Sequence, residues 1–413
     1  MPEQTLYICY FGIREPLVQT QVLPYLREIA NSGLEVSLLT FEPELRKNWS
    51  AASIAEMRDE LSSDGLAWHC LGYHKRFSAI ATAFDIFNGA RFVRKHIDKF
   101  DVLHGRVHVA TLIGALARKL SRHKPKLIFD IRGFFPEEYT DAGIWPENGV
   151  LYRSAKRVER WLMSEADGFV VLTQKAGEIL FGERSSTPHS ALRTPHSIEV
   201  IPCCVDLERF AGLTAEDRLA MRRELGVEDR SVLVYVGSFG GWYLTDEMLD
   251  FFVAARDRDP NIFVMVLTQR GVDAAAEKMR FAGFDNDDFL VRTVSPGDLP
   301  RYLNAADAGV SFIKPCYSKQ ASSPTKNAEY LAAGLPIIAN TGIGDVDKQI
   351  NDNGVGVLID RFDRESYLDA LERLDKLGDI TGKCRETARR EFDLKTVGGP
   401  RYVRLYKKLL DQR

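Results

Sequence analysis

The sequence of 413 residues contains no long hydrophobic run. A membrane-spanning helix needs roughly 20 consecutive apolar residues, and no stretch of this chain approaches that length. The first residues, Met-Pro-Glu-Gln-Thr, also lack the basic region with which a secretory signal peptide begins. We therefore expect a cytoplasmic protein that does not cross a membrane.

Cysteine is sparse, and neither sign of charge dominates. The six cysteines show no spacing typical of zinc ligands, and Cys203 and Cys204 are adjacent, which is poor geometry for a bond between them. Free thiols in a reducing compartment are the simplest interpretation. The formal net charge of −3 provides no overall attraction to nucleic acid, so no nucleic-acid partner is expected.

Short apolar segments alternate with helical segments in two successive series. A hydrophobic content of 45% over 413 residues supports two domains of ordinary size. Strands alternating with helices predict a parallel sheet covered on both faces, so the fold class is α/β with two doubly wound units. The predicted strands are residues 6–11, 35–41, 101–104, 127–131, 168–172, 231–236, 262–267, 290–293, 309–313 and 336–339. Predicted helices include residues 21–31, 110–121 and 396–412.

Residues 322–340 are the most informative stretch of the chain. Ser322 or Ser323 suits the N-cap of a helix, because a hydroxyl oxygen accepts a backbone N–H bond there. Pro324 suits the first helical position, where its missing N–H costs nothing. Gly334 suits the end of the helix, and a short apolar strand follows it.

The start of this predicted helix has the chemistry of an anion site. Its free backbone N–H groups, the small hydroxyl residues Ser323 and Thr325, and the charge of Lys326 all favour a phosphate. Glu329 follows Lys326 by three residues, so the two side chains share a helix face. A diphosphate at the helix tip and a ribose beside Glu329 would satisfy both groups. The segment therefore predicts a nucleotide-sugar site; an exposed lysine and an ordinary surface glutamate are the alternatives.

Three runs in this order resemble a known family. Pro-Thr-Lys-x-x-Glu-Tyr-Leu-Ala-Ala-Gly-Leu-Pro, at residues 324–336, resembles the donor-nucleotide helix of family 4 glycosyltransferases. Residues 200–210, Val-Ile-Pro-Cys-Cys-Val-Asp-Leu-Glu-Arg-Phe, are similar to the family's interdomain segment, with two cysteines in place of the usual Asn-Gly. The predicted strand 231–236 and the Gly-Ser-Phe-Gly-Gly after it resemble the glycine-rich loop that opens the family's second domain.

The resemblance covers most of the chain and implies the GT-B fold, in which two Rossmann-like domains face each other across a cleft. It implies an N-terminal acceptor-side domain of residues 1–198, joined by a C-terminal helix at 397–413. Residues 199–396 would form the domain that binds the donor nucleotide.

The activity implied is that of a hexosyltransferase of bacterial surface-polysaccharide assembly. Such an enzyme moves a sugar from a nucleotide-sugar donor, most commonly a UDP-sugar, to a glycan or lipid-linked acceptor with retention of configuration. The family needs no protein nucleophile and no metal, so no cofactor is expected. A nucleotide-sugar 2-epimerase of the same fold, or a non-catalytic protein that binds nucleotides or glycans, remains an alternative.

The resemblance also assigns residues on the donor side. Lys326 would bind the diphosphate and stabilise the charge on the leaving group, which makes it a catalytic candidate, and Glu329 would bind the ribose. The family often has a second glutamate eight positions before Glu329, and Ala321 stands there. Glycines after the strand would let backbone N–H groups approach a phosphate, although a tight turn alone also needs them. The predicted donor-nucleotide residues are Gly237, Ser238, Gly241, Ser295, Ser323, Thr325, Lys326 and Glu329.

On the acceptor side, a predicted apolar strand ends in Asp130 and Arg132, which resemble an Asp-x-Arg-Gly signature of a bacterial subgroup of these transferases. Buried charges are costly unless they pair or bind a ligand. We predict that Asp130 or Glu138 orients the acceptor hydroxyl and that Arg132 holds an anion. An Asp130–Arg132 pair that merely fixes the loop is the alternative. Weaker acceptor-binding candidates are Gln19, Gln21, His104 and Arg106.

Basic and aromatic residues are interleaved over residues 74–99. Such a segment could lie on an anionic membrane surface, which would make the protein peripheral on the inner face of the membrane. A solvated helix face above a core is the default interpretation. The residues concerned are His74, Lys75, Arg76, Phe77, Ile80, Phe84, Ile86, Phe87, Arg91, Phe92, Val93, Arg94, Lys95, His96 and Lys99.

Overall fold

A computed structural model describes residues 3–74, 79–182 and 197–412. The chain divides into two compact units. The first unit comprises Met1–Pro202 together with Leu394–Arg413, and the second comprises Cys203–Asp393. Each unit is built around one parallel sheet, with seven strands in the first and six in the second. The predicted fold class, two doubly wound α/β units, is confirmed.

The first unit places helices between successive parallel strands. Its strands are β1 Gln4–Cys9, β2 Glu35–Pro43, β3 Leu66–Tyr73, β4 Val102–Arg106, β5 Lys126–Ile131, β6 Gly168–Val171 and β7 Ile198–Val200. Its helices are α1 Pro16–Gln21, α2 Leu23–Asn31, α3 Leu45–Asn48, α4 Ala51–Ser63, α5 Ala79–His96, α6 Val107–Lys119, α7 Phe135–Asp141, α8 Val150–Glu165, α9 Gln174–Phe181 and, at the end of the chain, α18 Gly399–Leu410.

The second unit repeats this alternation. Its strands are β8 Ser231–Val236, β9 Ile262–Leu267, β10 Phe289–Arg292, β11 Ala308–Ser311, β12 Ile337–Asn340 and β13 Gly356–Ile359. Its helices are α10 Ala215–Leu225, α11 Thr245–Arg258, α12 Val272–Phe281, α13 Leu299–Ala305, α14 Thr325–Ala333, α15 Val346–Asn353, α16 Arg364–Leu377 and α17 Thr381–Phe392. Short 3-10 turns occur at Ile97–Lys99, Leu207–Phe210 and Tyr317–Ala321.

The strand order explains where each unit can bind a ligand. The first sheet runs β3-β2-β1-β4-β5-β6-β7 and the second β10-β9-β8-β11-β12-β13, with parallel pairing throughout. In each sheet the order reverses direction once, between β1 and β4 and between β8 and β11. Open parallel sheets bind ligands outside the carboxyl ends of their strands at this reversal. The loops after these four strands are therefore the first places to examine.

Burial on both faces accounts for the strand sequences. Every residue of β9 (Ile-Phe-Val-Met-Val-Leu) is buried, as are the last five residues of β5. Strands covered on both faces read as nearly continuous apolar runs, which is why the sequence predicts them well. Three strands were not predicted: β3, β7 and β13. Few of their residues are fully buried, so their apolar signal is weaker.

Two helices differ from their predictions. The helix predicted at 21–31 is α2, which begins only at Leu23 because the backbone at Val22 leaves the helical region at φ −125°, and a separate helix, α1, precedes it. The helix predicted at 396–412 begins with a π turn at Leu394–Gly398 before α18 starts at Gly399. Within the described ranges, no helix is both long enough and apolar enough to cross a membrane.

Candidate functional site

The N-terminus of α14 lies at the carboxyl end of β11 in the second sheet. The loop after β11 contains the 3-10 turn Tyr317–Ala321 and leads directly into α14. The prediction that a serine caps this helix is wrong, because Pro324 occupies the N-cap and no side chain caps it. The hydroxyl oxygen of Ser323 instead accepts a hydrogen bond from the N–H of Cys203 at 3.1 Å. The helix ends as predicted at Gly334, in the left-handed conformation with φ 89°.

Lys326 is buried, which contradicts the alternative of an exposed lysine. The residue is 6% exposed, and its Nζ lies 4.0 Å from the ring centroids of both Tyr235 and Tyr243. No described group accepts a hydrogen bond from this nitrogen. Burial lowers the pKa of Lys326 well below its ordinary value, although the carboxylate of Glu329 opposes the shift. A cation held this way is costly without an anionic partner.

The glycine loop after β8 reaches this lysine. Gly237 has φ 140°, and a Cβ there would lie 3.0 Å from Nζ of Lys326 and 3.1 Å from the hydroxyl oxygen of Tyr235. The same tyrosine donates a hydrogen bond to the carbonyl oxygen of Ser238 at 2.6 Å. Gly241 has φ 67° and no described neighbour within 4 Å of a built Cβ. The structure thus brings Gly237 to Lys326, whereas Gly241 occupies a turn.

A second buried cation lies beside this loop. Lys319 is 6% exposed, and its Nζ lies 3.9 Å from the ring centroid of Trp242. The N–H of Lys314 donates to the carbonyl oxygen of Trp242 at 2.9 Å, which joins the glycine loop to the loop after β11. Lys319 was not predicted from the sequence, because its proximity to Trp242 depends on two loops that are distant in the sequence.

Glu329 is also buried, which contradicts the alternative of a surface glutamate. The residue is 8% exposed, and its Oε1 lies 3.4 Å from Nη1 of Arg209. Burial raises the pKa of the Glu329 carboxyl, and Arg209 and Lys326 lower it in part. Arg209 lies in the segment 200–210 that resembles the interdomain motif, yet nothing in the sequence alone pairs it with Glu329.

The remaining donor candidates are less closely associated with Lys326. Thr325 is the half-buried first residue of α14. Ser295 is exposed, donates to Oδ2 of Asp298 at 2.7 Å and accepts from its N–H at 3.1 Å, so its side chain is engaged in a local turn. Ala321, at the position of the missing family glutamate, is 1% exposed.

In the first unit, four of the acceptor candidates meet around one carboxylate. Asp130 is fully buried at the end of β5. Its carboxylate oxygens lie 3.8 Å from Nη1 of Arg106, 3.8 Å from Nη1 of Arg132 and 3.5 Å from Nε2 of His104. Tyr402 of α18 donates a hydrogen bond to Oδ2 at 2.9 Å. The sequence predicted these residues separately but missed Tyr402, which is 272 positions away.

Burial and neighbouring charges shift the pKa values of both Asp130 and His104. Burial alone would raise the pKa of Asp130, but Arg132, His104 and Arg106 hold it at about 2. Burial lowers the pKa of His104, although Asp130 opposes that shift. The cluster at neutral pH therefore contains an ionised Asp130 and a neutral His104. A carboxyl with so low a pKa is a weak proton acceptor at neutral pH.

The other acceptor candidates, Glu138, Gln19 and Gln21, also lie in the first unit. Glu138 is half-buried on α7, and a Cβ on Gly133 would lie 3.2 Å from its Oε1. Gln19 is exposed and donates to the carbonyl oxygen of Ile13 at 2.6 Å. Gln21 is buried, and its Oε1 lies 3.5 Å from Nη2 of Arg132.

A further polar cluster in the first unit was not predicted. His108 follows β4 as the second residue of α6, and its Nε2 lies 2.8 Å from Oε2 of Glu159. Lys156 bonds both Glu159 and Glu137, the latter at 2.9 Å. Burial alone would raise the pKa of Glu159, but His108 and Lys156 hold it at about 2. Because the partners come from α6, α7 and α8, no local sequence signal could have identified them.

Comparisons with known proteins agree with this architecture. Residues 18–189 match the model of the glycosyl transferase 4-like domain, and residues 217–391 match that of glycosyl transferases group 1. Together the two models span most of the chain. The chain belongs to these glycosyltransferases.

One curated relative and two solved structures illustrate the similarity of this glycosyltransferase to known proteins. It is 23% identical over 370 residues to the D-inositol 3-phosphate glycosyltransferase of Corynebacterium diphtheriae, covering 86% of this chain and 80% of the relative. A glycosyltransferase from Rickettsia africae has a TM-score of 0.70 at 15% identity over 100% of both chains. Anabaena HepE, solved in complex with UDP-glucose, has a TM-score of 0.66 at 15% identity over 98% of this chain and 99% of its own. These likenesses identify the fold as GT-B.

Proposed function

We propose that this glycosyltransferase transfers a sugar from a nucleotide-sugar donor, most favourably a UDP-sugar, to a glycan or lipid-linked acceptor with retention of configuration. The observation that carries the proposal is the buried Lys326, which has no described hydrogen-bond acceptor and lies at the N-terminus of α14 beside Gly237. Anabaena HepE, of the same fold, was solved with UDP-glucose. A donor diphosphate would provide the missing anionic partner.

The donor site would act mainly on the leaving group. As the bond between the sugar and the phosphate breaks, negative charge grows on the diphosphate, so a fixed ammonium stabilises the transition state more than the ground state. Lys326 is held between two tyrosine rings and needs little rearrangement to do so. Glu329 would accept hydrogen bonds from the ribose hydroxyls. Lys319 would add a second cation near the glycine loop.

The retaining step would need no protein nucleophile. The C1–O bond to the nucleoside diphosphate breaks, and a bond from C1 to the acceptor oxygen forms on the same face of the sugar. The proton of the acceptor hydroxyl passes to the leaving phosphate oxygen, so the products are the glycoside and the free nucleoside diphosphate. Asp130 fits this scheme as an orienting group, because its low pKa makes it a poor base. Glu138 is proposed as the second orienting carboxylate.

The acceptor is proposed to carry an anionic group. Two guanidinium groups, those of Arg106 and Arg132, lie 3.8 Å from the one carboxylate of Asp130. The name of the corynebacterial relative specifies a phosphorylated acceptor. A phosphate on a sugar or a lipid carrier would interact favourably with Arg132, as the sequence analysis predicts.

A donor panel tests the proposed activity. Purified protein is incubated with UDP-, GDP- and ADP-sugars and candidate lipid-linked acceptors, and release of the nucleoside diphosphate is measured. We expect release that depends on the acceptor and is fastest with a UDP-sugar. If the protein converts the donor in the absence of any acceptor, its activity is 2-epimerisation of the nucleotide sugar rather than sugar transfer. Binding without turnover would identify a non-catalytic protein, for which the buried Ala321 is the specific structural reason.

Contact with an anionic membrane is proposed for the exposed face of α5. Ile80, Phe84 and Phe87 are 81%, 50% and 64% exposed, and Arg91, Arg94 and Lys95 continue the exposed face toward the C-terminus of the helix. An apolar stripe next to a basic one is typical of helices that lie on anionic bilayers. Val93 points into the core instead, with no exposed surface. The predicted contributions of Lys75, Arg76 and Phe77 lie outside the described residues.

Liposome flotation tests this contact. We expect the protein to float with vesicles that contain anionic lipid and to sediment at high salt or with neutral vesicles. Replacing Phe84 and Phe87 with serine should abolish flotation. The same double change at Leu219 and Phe281, which are 48% and 97% exposed on the second unit, is the matched control. If flotation depends neither on the charge of the lipid nor on the salt concentration, the proposal is wrong.

A further inference from the structure

A short turn in the second unit presents one arginine to the proposed nucleotide site. The 3-10 turn Leu207–Phe210 begins at Asp206, whose Oδ1 accepts a hydrogen bond from the N–H of Glu208 at 3.0 Å. Arg209 follows, and its guanidinium carbon lies 5.6 Å from the ring centroid of Phe210. The turn and the neighbouring ring thus restrict the conformations of the Arg209 side chain.

The Arg209 guanidinium has two partners from different parts of the unit. Nη1 lies 3.4 Å from Oε1 of Glu329 on α14. Nη2 donates a hydrogen bond to the carbonyl oxygen of Pro296, in the loop between β10 and α13. One side chain therefore joins the proposed ribose carboxylate to the loop that contains the predicted donor residue Ser295.

Arg209 also favours the ionised form of Glu329. Burial favours the neutral form of this carboxyl and raises its pKa, whereas Arg209 most strongly, and then Lys326, lower it. Among the described residues, Arg209 on the 206–210 turn and Lys326 on α14 are the charged groups that face this carboxyl. Ribose hydroxyls donate their hydrogen bonds best to an ionised carboxylate. Without Arg209, more of the protein would hold Glu329 in the form that binds ribose poorly.

We propose that Arg209 is a positioning residue for the nucleoside half of the donor: it aims the Glu329 carboxylate at the ribose and fixes its distance from the loop at 294–297. This inference rests on the proposed nucleotide site. Arg209 itself need not touch the sugar that is transferred.

Calorimetric titration with UDP tests this role. We expect Arg209→Gln to weaken UDP binding about tenfold, the value of one hydrogen bond to a charged group. Arg209→Lys keeps the charge and should recover part of the loss. Arg258→Gln is the matched control, because Arg258 pairs with Asp375 on the exposed surface of the same unit. Thermal unfolding of each variant shows whether the fold is intact.

Two further readouts separate positioning from a purely structural role. With Arg209→Gln, UDP affinity should fall as the pH is lowered, and the fall should begin at a higher pH than in the wild type. A 2′,3′-dideoxy analogue of UDP lacks the hydroxyls that Glu329 binds, so wild type and Arg209→Gln should bind this analogue equally. Equal losses for UDP and the dideoxy analogue, with an unchanged pH profile, would overturn the proposal.

Glu329→Gln distinguishes failure of this inference from failure of the proposed function. If Glu329→Gln weakens UDP binding while Arg209→Gln does not, the role of Arg209 is wrong and the nucleotide site stands. If the wild type does not bind UDP, GDP or ADP, or if Glu329→Gln leaves the affinity unchanged, the placement of the nucleotide site is wrong. In that case the inference about Arg209 is overturned with it.

Discussion

Lys326 is the residue whose surroundings differ most from those of an ordinary lysine. Its side chain is more than nine-tenths buried, and its Nζ lies 4.0 Å from the ring centroids of two tyrosines, Tyr235 and Tyr243. The sequence identified this residue and Glu329 from the spacing of a helix start. It did not predict Tyr235, Tyr243 or Arg209, because contacts between residues this far apart in the chain depend on how the sheet is assembled.

Replacing Lys326 with methionine should weaken UDP binding at least tenfold while leaving the fold intact. Methionine has a similar volume and removes the charge that would meet the diphosphate. Calorimetric titration measures the effect. Lys376→Met, a change on the exposed surface of α16 where Lys376 pairs with Glu372, should bind UDP as the wild type does. An unchanged affinity in Lys326→Met would rule out its contact with the donor.

The stability of the protein should depend on pH through the same residue. The pKa of Lys326 is lower in the folded state than its ordinary value of 10.5. The unfolded state therefore binds more protons between these two values, and the folded state loses stability as the pH falls through that window, by up to about 1.4 kcal/mol per pH unit.

Methionine does not titrate, so it does not lose stability in this way as the pH falls. The free energy of unfolding of Lys326→Met should therefore exceed that of the wild type by more at pH 7 than at pH 9.5. Urea unfolding of both proteins at the two pH values measures the difference. A constant difference would mean that the lysine titrates normally in the folded protein.

At the scale of elements, the glycine loop after β8 approaches Lys326 at one residue. Gly237 has φ 140° and lies against Lys326, so an added methyl group is both strained and crowded. The sequence predicted the loop and its glycines but left a tight turn as an equal explanation for Gly241. The structure separates the two, because only Gly237 of this pair has the lysine beside it.

Gly237→Ala should therefore weaken UDP binding several-fold in addition to a loss of about 1 kcal/mol in stability. Gly212→Ala is the matched control, since Gly212 also has a positive φ of 81° but has no described atom within 4 Å of a built Cβ. It should show the loss of stability with unchanged UDP affinity. Equal binding losses in both variants would indicate strain alone rather than proximity to the donor.

The contact between α18 and β5 belongs to the same scale. The Tyr402 hydroxyl donates to the ionised Asp130, and hydrogen bonds to buried charges are worth about 1.5–3 kcal/mol. Tyr402→Phe should destabilise the first unit by that amount, measured as the shift of its unfolding transition in urea. If Tyr402→Phe leaves the stability of the first unit unchanged, the hydrogen bond from α18 is not needed to stabilise the buried Asp130.

At the scale of the whole molecule, the order of strands and helices along the chain predicts that there are two α/β units. The periodic alternation of strands and helices was enough to predict two parallel sheets, because buried strands leave strong apolar runs such as β8 and β9. The clusters around Asp130 and Glu159 could not be predicted, because each collects side chains from three or more elements. A buried strand can be predicted from its own short apolar run, whereas contacts between buried polar side chains depend on how several elements pack together.

The first unit should fail to fold stably without the segment Leu394–Arg413. Tyr406 of α18 lies 2.7 Å from Nδ1 of His104, and a Cβ on Gly168 would lie 2.9 Å from a methyl of Leu409, so α18 fills part of the core of this unit. A chain ending at Asp393 should lose the unfolding transition of the first unit in calorimetry while retaining UDP binding in the second. Two intact transitions would contradict this expectation.

The last helix of the chain has a consequence for synthesis. By the time the ribosome has released residue 393, every part of the second unit is outside, but the first still lacks the helix that supplies Tyr402 and Tyr406. The core of the first unit therefore lacks these side chains until Leu394–Arg413 has been made. We therefore expect the second unit, whose residues are contiguous in the chain, to complete its core before the first.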